Sequence, residues 1–419
     1  MIRWLATIAL TALPLPLAAG EVAVVPGGLA DAIVGAVAGD VLRLAPGDYA
    51  GPIVLQKALT LDGGGHAALH GNETGSVITV TAEDVAVRGL RITGSGSNHE
   101  TIDSGIQLIK TAHRAIIEDN TLIGNLYGID IHGGKDARVT GNVIEGRRDR
   151  LMNRRGNGVY VWNAPGAQVI GNRVRWGRDG IFVNSSKRNV FSKNEFRDLR
   201  FAVHYMYADD TEVSNNLSVG NHLGYAVMFS TRVRVTGNAS INDRDHGLML
   251  NYANHSVISG NLVRGGPEKC AFLYNSHKNA FENNRFERCD IGIHFTAGSD
   301  RNKITGNAFI GNRTQVKYIS TTWDEWSVGG RGNYWSDFAA YDLNGDGTAD
   351  VPYRPNDSMD HVLWTQPSAK LLLGSPAVQL VRWSQSAFPA LLPGGVIDSH
   401  ALMQPVEMPM PLDTGEATE

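Results

Sequence analysis

Sulfur and imidazole donors recur through the middle of this chain at His204, Met206, Met228, His246, Met249 and His294. Thioether and imidazole ligands together suit Cu(I), and a weak, open set of them suits an ion that must be passed on. Carboxylates gather in the same region as Asp130 with His132, Asp179, Asp209 with Asp210, and Asp243 and Asp245 beside His246. Clustered carboxylates could serve acid–base chemistry on a sugar. The commoner role of such a residue in a turn is to bond its own backbone. A third group lies near the C-terminus, where "DLNGDGTAD" presents Asp342, Asn344, Asp346, Thr348 and Asp350 at alternate positions. Oxygen ligands at every second residue with an intervening Gly resemble the first part of a calcium loop, although flanking helices and a terminal Glu are missing. A calcium site and a metal-free turn both fit that segment.

Whether any of these side chains meet depends on what carries them. Segments of the form V-x-x-N-x-apolar recur with their asparagines at Asn120, Asn142, Asn172, Asn194, Asn216, Asn238, Asn261, Asn284 and Asn307. The intervals are 22, 30, 22, 22, 22, 23, 23 and 23 residues. A second strand-like signature follows each one, such as "GIDI", "GIFV", "AVHY" and "GLML". Short β-rich units with a fixed period and no helical periodicity predict an all-β fold, a right-handed parallel β-helix of coils of about 22 residues. The repeating Asn is expected in a turn, in the left-handed conformation, with its amide bonded to the Asn of the next coil. Counting ten to twelve residues on from each Asn gives Asp130, Phe182, His204, Met228, Met249, Phe272 and His294, each at an outward position of its strand. On that count Met228 and Met249 lie side by side, roughly 4.8 Å apart between coils, with His204 one coil away and Met206 and His246 near the strand ends. The competing expectation is an apolar stripe of Met228, Met249, Phe182 and Phe272, covered by the C-terminal segment or a partner.

Composition sets the boundaries. Net charge is -4, which gives no electrostatic case for nucleic acid, and 48 glycines against 16 prolines indicate many tight turns. Residues 1–20 have a basic start, an apolar run broken by Pro14 and Pro16, and small residues at the end, the pattern of a cleaved secretory signal. Export would allow Cys270 and Cys289 to form one disulfide. The β-helix is expected over 21–320. Its irregularity is the insertion "GRRDRLMNRRGN", whose Arg147, Arg148, Arg150, Arg154 and Arg155 form either a solvated loop or a basic docking patch. Residues 321–366, rich in aromatics and Asp, are expected to cap the open end through Trp323, Trp326, Tyr334 and Trp335. The apolar stretch of 367–419, including Leu371, Leu372, Leu380 and Trp383, is expected to dock on a partner or membrane as a short amphipathic segment, to be dispensable to the solenoid, and to end in a disordered tail.

The signal segment, the N/G coils, the block "GNYWSDF" with "DLNGDGTADVPY" and the apolar extension, in that order, resemble the NosD family of periplasmic copper-processing proteins. The resemblance covers essentially the whole chain. It implies a non-enzymatic accessory factor in maturation of nitrous oxide reductase, associated with the inner membrane. Its implied partners are an ABC-type permease and ATPase, a copper chaperone lipoprotein and the reductase itself. The coil repeat alone is shared with carbohydrate-active β-helices, so a polysaccharide lyase, epimerase or glycan-binding module is the alternative.

Overall fold

The computed structural model describes residues 19–296, 298–318, 322–372, 375–388 and 394–407. The expected signal segment lies outside them except for Ala19 and Gly20, as does the tail from Asp413. The chain winds as a parallel β-helix. Each regular coil contributes two three-residue strands and one longer strand, as in Val190–Ser192, Glu195–Arg197 and Phe201–Met206. Longer strands stack coil upon coil, all parallel, into a 12-stranded sheet running from Ile53–Leu55 to Thr314–Tyr318. The short strands build the other wall, and β-branched and aromatic residues such as Val213, Val235, Ile258, Phe281 and Ile304 fill the space between. Helix Leu29–Gly35 packs Leu29 into the N-terminal end of this core.

The repeating asparagines form one continuous buried ladder. Each Nδ2 donates to the Oδ1 of the next, from Asn120 to Asn307 and on to Asn333, at 2.8–3.1 Å. The second hydrogen of each amide goes to a backbone carbonyl, for example Asn194 to Val169. Contrary to expectation, the Asn is not the left-handed residue. Positive φ falls on the residue before it: Asp119, Lys193, Asn215 and Asn283, or a glycine at 141, 171, 237, 260 and 306. That residue makes the corner, which frees the Asn side chain to turn inward and bond along the axis.

The C-terminal cap uses more of the chain than expected. Trp326 and Trp335 are buried, and Trp335 stacks on Phe309 of the last coil at 4.4 Å between centroids. Trp323 remains nearly half exposed and instead lies in a strand, Trp323–Glu325, paired with Gly395–Ile397. Immediately after that pairing, Asp398 ends the ladder. Its Oδ2 accepts from the backbone N–H and Nδ2 of Asn333 and from the indole of Trp335. The chain therefore leaves the cap as two helices, the second of them after residue 366, and returns to close it, so the segment expected to be dispensable contributes to the cap. Those helices, Ser358–Thr365 and Pro376–Ala387, are started by Asp357 and Ser375, and Arg382 ties the second to Asp357 at 3.0 Å. Asn356 donates to the Val316 carbonyl at 2.7 Å and anchors the pair to the last coil. Cys270 and Cys289 are joined as a disulfide.

Candidate metal-handling site

The outer face of the 12-stranded sheet carries the sulfur and imidazole donors, but in a different register from the counted one. His204 is aligned with Ala226, and Ala226 with Met249; Met206 is aligned with Met228, and Met228 with Asn251. Met228 and Met249 are thus diagonal neighbours, and the adjacent methionines are Met206 and Met228. The count failed because alternate residues of a strand share a face, so Ala226 and Met228 both qualify as outward. The extra residue in the 23-residue coil that follows then moves the equivalent position by one.

The corrected register produces a notch in side-chain size. Ala226, with only a methyl group, sits between His204 on one side and Met249 on the other, and Met206, Met228 and Asn251 line the far edge. Strands about 4.8 Å apart let side chains one and two coils distant converge over the small residue. His204 is nine-tenths buried, and its Nε2 has no hydrogen-bond partner. Asn251 Oδ1 is likewise buried and unpartnered. Buried polar atoms without partners are costly and call for an explanation in strain, a functional role, a water or an ion. Bordering the methionines, Tyr207, Phe229 and Tyr252 stack in an exposed file at 5.3 and 5.2 Å. All three hold positive φ, an uncommon and costly conformation for bulky residues.

The other two candidate imidazoles stand apart. Phe272 separates Met249 from His294 in the same column, and His246 lies at the start of its strand, edge-on to Phe272 at 5.2 Å. Burial, reinforced by Lys317 and Lys269, pushes His294 down to about 4, and burial also lowers His246. Two nearby ammonium groups oppose a cation there, so the structure brings together His204, Met206, Met228 and Met249 and leaves His246 and His294 outside. Among the described residues, no three His, Cys, Asp or Glu side chains converge in metal-binding geometry.

The carboxylates fall mainly into structural roles. Asp243 is fully buried and accepts from Ser218, Ser240 and the Asn221 N–H; burial raises it to about 6. Asp209 accepts from the backbone N–H and hydroxyl of Thr231, and Asp210 pairs with Arg232. Asp245 is exposed, 3.9 Å from His222. Asp130 is completely buried, bonded to Gln107 at 3.2 Å with His132 at 3.8 Å, and burial raises its pKa. Asp179 takes both Arg200 and His204 as partners.

Two relatives decide the family. The probable ABC transporter binding protein NosD of Stutzerimonas stutzeri is 38% identical over 376 residues, 86% of each chain. Its namesake from Pseudomonas aeruginosa is 41% identical over 382 residues, covering 88% of this chain and 89% of its own. The chain belongs to the NosD family. A family model described as periplasmic copper-binding protein (NosD) matches residues 140–340, the stretch that holds the notch and the whole methionine row. Among solved structures, a mannuronic acid specific polysaccharide family 6 lyase from human gut microbiota aligns with a TM-score of 0.57 at 12% identity, over 78% of this chain and 89% of its own. A likeness that distant shows the β-helix and nothing of its chemistry.

Other expected contact residues of this NosD-family chain divide sharply. Arg147 spends its guanidinium on the Ser95, Gly96 and Gly124 carbonyls and the Ser97 hydroxyl. Arg148 packs on the Trp176 ring at 3.2 Å, as Arg175 does at 3.5 Å. Arg155 holds the Asp149 carbonyl, while Arg150 and Arg154 are exposed. The insertion is thus braced by its own arginines, three of which do not form a free basic patch. Leu371, Leu372, Leu380 and Trp383, by contrast, are 91%, 57%, 64% and 64% exposed. In the "DLNGDGTAD" loop, the Asp342 carboxylate accepts from the N–H groups of Gly345, Asp346 and Gly347, Asp346 from that of Thr348, and Asp350 from that of Leu343. Asn344 contributes a bond to Asp346.

Proposed function

We propose that the protein accepts Cu(I) in the periplasm and passes it on for assembly of the copper sites of nitrous oxide reductase, without itself catalysing a reaction. In this reading a copper chaperone lipoprotein supplies the ion, and an inner-membrane ABC-type permease and ATPase hold the protein near the reductase. The observation that carries it is the alignment at Ala226, where thioethers from three positions and one buried imidazole nitrogen without a hydrogen-bond partner flank a single methyl group. Copper is cargo here. Two or three soft donors on flexible side chains bind it tightly enough to load and loosely enough to release.

The test is Cu(I) titration of the mature protein against a chromophoric chelator. Met206→Leu, Met228→Leu and Met249→Leu together keep the apolar area and remove the sulfurs, and Ala226→Leu fills the gap while leaving every donor in place. Both variants are expected to lose at least about tenfold in Cu(I) affinity, a factor of ten being about 1.4 kcal/mol, and to yield copper-poor reductase. Wild-type uptake and wild-type maturation in both would make the methionine row a packing feature.

The carbohydrate-active alternative has weaker support. The open cavity beside Gln107, about 780 Å³, is lined by Glu73 and Asp103, which repel a polyuronate.

A further inference from the structure

We propose that Asp179 is a positioning residue that fixes which nitrogen of His204 is offered to the notch. The proposal rests on the copper reading for the identity of the cargo, though not for the geometry. Asp179 opens the strand Asp179–Asn184, one coil before His204, and its carboxylate is almost fully buried. Arg200 grips it with both arms of the fork, Nε to Oδ1 at 2.8 Å and Nη2 to Oδ2 at 2.6 Å. His204 Nδ1 lies 3.1 Å from the same Oδ2.

The two-armed grip of Arg200 is the pairing that an ionised carboxylate makes. An ionised carboxylate only accepts, so at 3.1 Å Nδ1 is the donor; Arg200 Nη2, which can only donate, lies farther from the same nitrogen at 3.4 Å and is the contact that yields. In a neutral imidazole a proton on Nδ1 leaves Nε2 as a bare lone pair.

Direction follows from the register. Asp179 is aligned with Phe201, at the start of the strand, so Nδ1 faces back along it. Nε2 is the ring nitrogen turned away from Asp179, and Met206 and Met228 are aligned side by side at the far end of the strand. The rings of Phe182 and Phe201, each 4.8 Å from the imidazole centroid, hold its plane. A carboxylate behind a ligating histidine sets the tautomer and raises the basicity of the free nitrogen, and loss of such a partner typically weakens metal binding 10–100-fold.

The experiment is nitrogen NMR of the metal-free mature protein labelled at histidine, followed by Cu(I) competition titration, on wild type, Asp179→Asn and Arg200→Gln. Wild type is expected to show His204 protonated on Nδ1 alone. Asp179→Asn should populate the other tautomer and weaken Cu(I) binding by about 10–100-fold, with the other histidine signals unmoved. Arg200→Gln should keep the wild-type tautomer, because the carboxylate remains. A wild-type ring protonated on Nε2, or the same tautomer in Asp179→Asn, would overturn the proposal, and the wild-type spectrum decides even if that variant fails to fold. If the tautomer responds as expected but wild type takes up no Cu(I), the positioning role stands and the copper reading falls.

Discussion

A single methyl group decides the candidate site, and a sequence count had no means of choosing it. His204, Met206, Met228 and Met249 stand out by their chemistry, whereas Ala226 is chemically silent and matters only through its small size and its place in the register. The carboxylates were legible in a different way: a turn residue bonded to its neighbours is the ordinary outcome, and Asp209 and Asp243 follow it. Asp243 carries a testable cost. It occupies the turn position held one coil earlier by Asn221, which donates to the Phe196 carbonyl and Ser218. Burial raises Asp243 from 3.8 to about 6. A carboxyl raised on folding contributes its stabilisation in full below pH 3.8 and loses it as pH rises through 6. At most about 3 kcal/mol disappears across that window. Asp243→Asn restores the amide of the preceding coil and cannot titrate. The variant is expected to match or exceed wild-type stability at pH 7.5 and to lack this component of the pH dependence. Denaturant unfolding at pH 4, 6 and 7.5 checks it, and parallel pH profiles for the two proteins would count against the assignment.

At the scale of elements, the coils were readable because one chemical requirement repeats with them. Every Asn of the ladder must find the next, so period, strand order and stacking follow from eight spacings. The cap was readable only in part, since it has no period: Trp326 and Trp335 cover the end as their bulk suggests, but Asp398 comes from sequence that looks like a tail. The "DLNGDGTAD" loop is tied to that returning segment through Ala349 to Ala401 and Met403 to Gly347. Backbone N–H groups hold Asp342 below its ordinary value, so its charge persists at neutral pH. With Asp346 and Asp350 close in sequence, we propose a calcium ion as the counter-charge. Chelation is then expected to lower the melting temperature by several degrees and to expose tryptophan fluorescence from the cap, and added calcium should reverse both. Identical melting with and without chelator would show that the backbone bonds suffice to hold the turn.

For the whole molecule, the solenoid presents its donors on one face and an apolar surface at its C-terminal end. Helix Pro376–Ala387 buries Val378 and Gln385 against the rest of the chain and turns Leu380 and Trp383 outward, and Leu371 and Leu372 extend the exposed surface in the turn before it. Large side chains exposed together mark a surface that is covered in use. No described helix is long and apolar enough to cross a membrane. The helix pair is fixed to the last coil by Asn356 and by the Arg382–Asp357 ion pair, so whatever holds these leucines also holds the solenoid at a set angle. Under the proposed copper-delivery function that matters, because the donors must face a recipient repeatedly in the same way. We propose that this surface docks on the membrane permease. Truncation after Gln366 cannot test the idea cleanly, since it strips Asp398 from Asn333 and Trp335. Substitution can. Leu371→Ser, Leu372→Ser, Leu380→Gln and Trp383→Gln are all at exposed positions, where changes usually cost less than about 0.5 kcal/mol each. The quadruple variant is expected to keep the wild-type melting temperature and Cu(I) affinity, yet to lose co-purification with the permease and support of reductase maturation. Full retention of the complex by a folded quadruple variant would move the docking surface elsewhere on the solenoid.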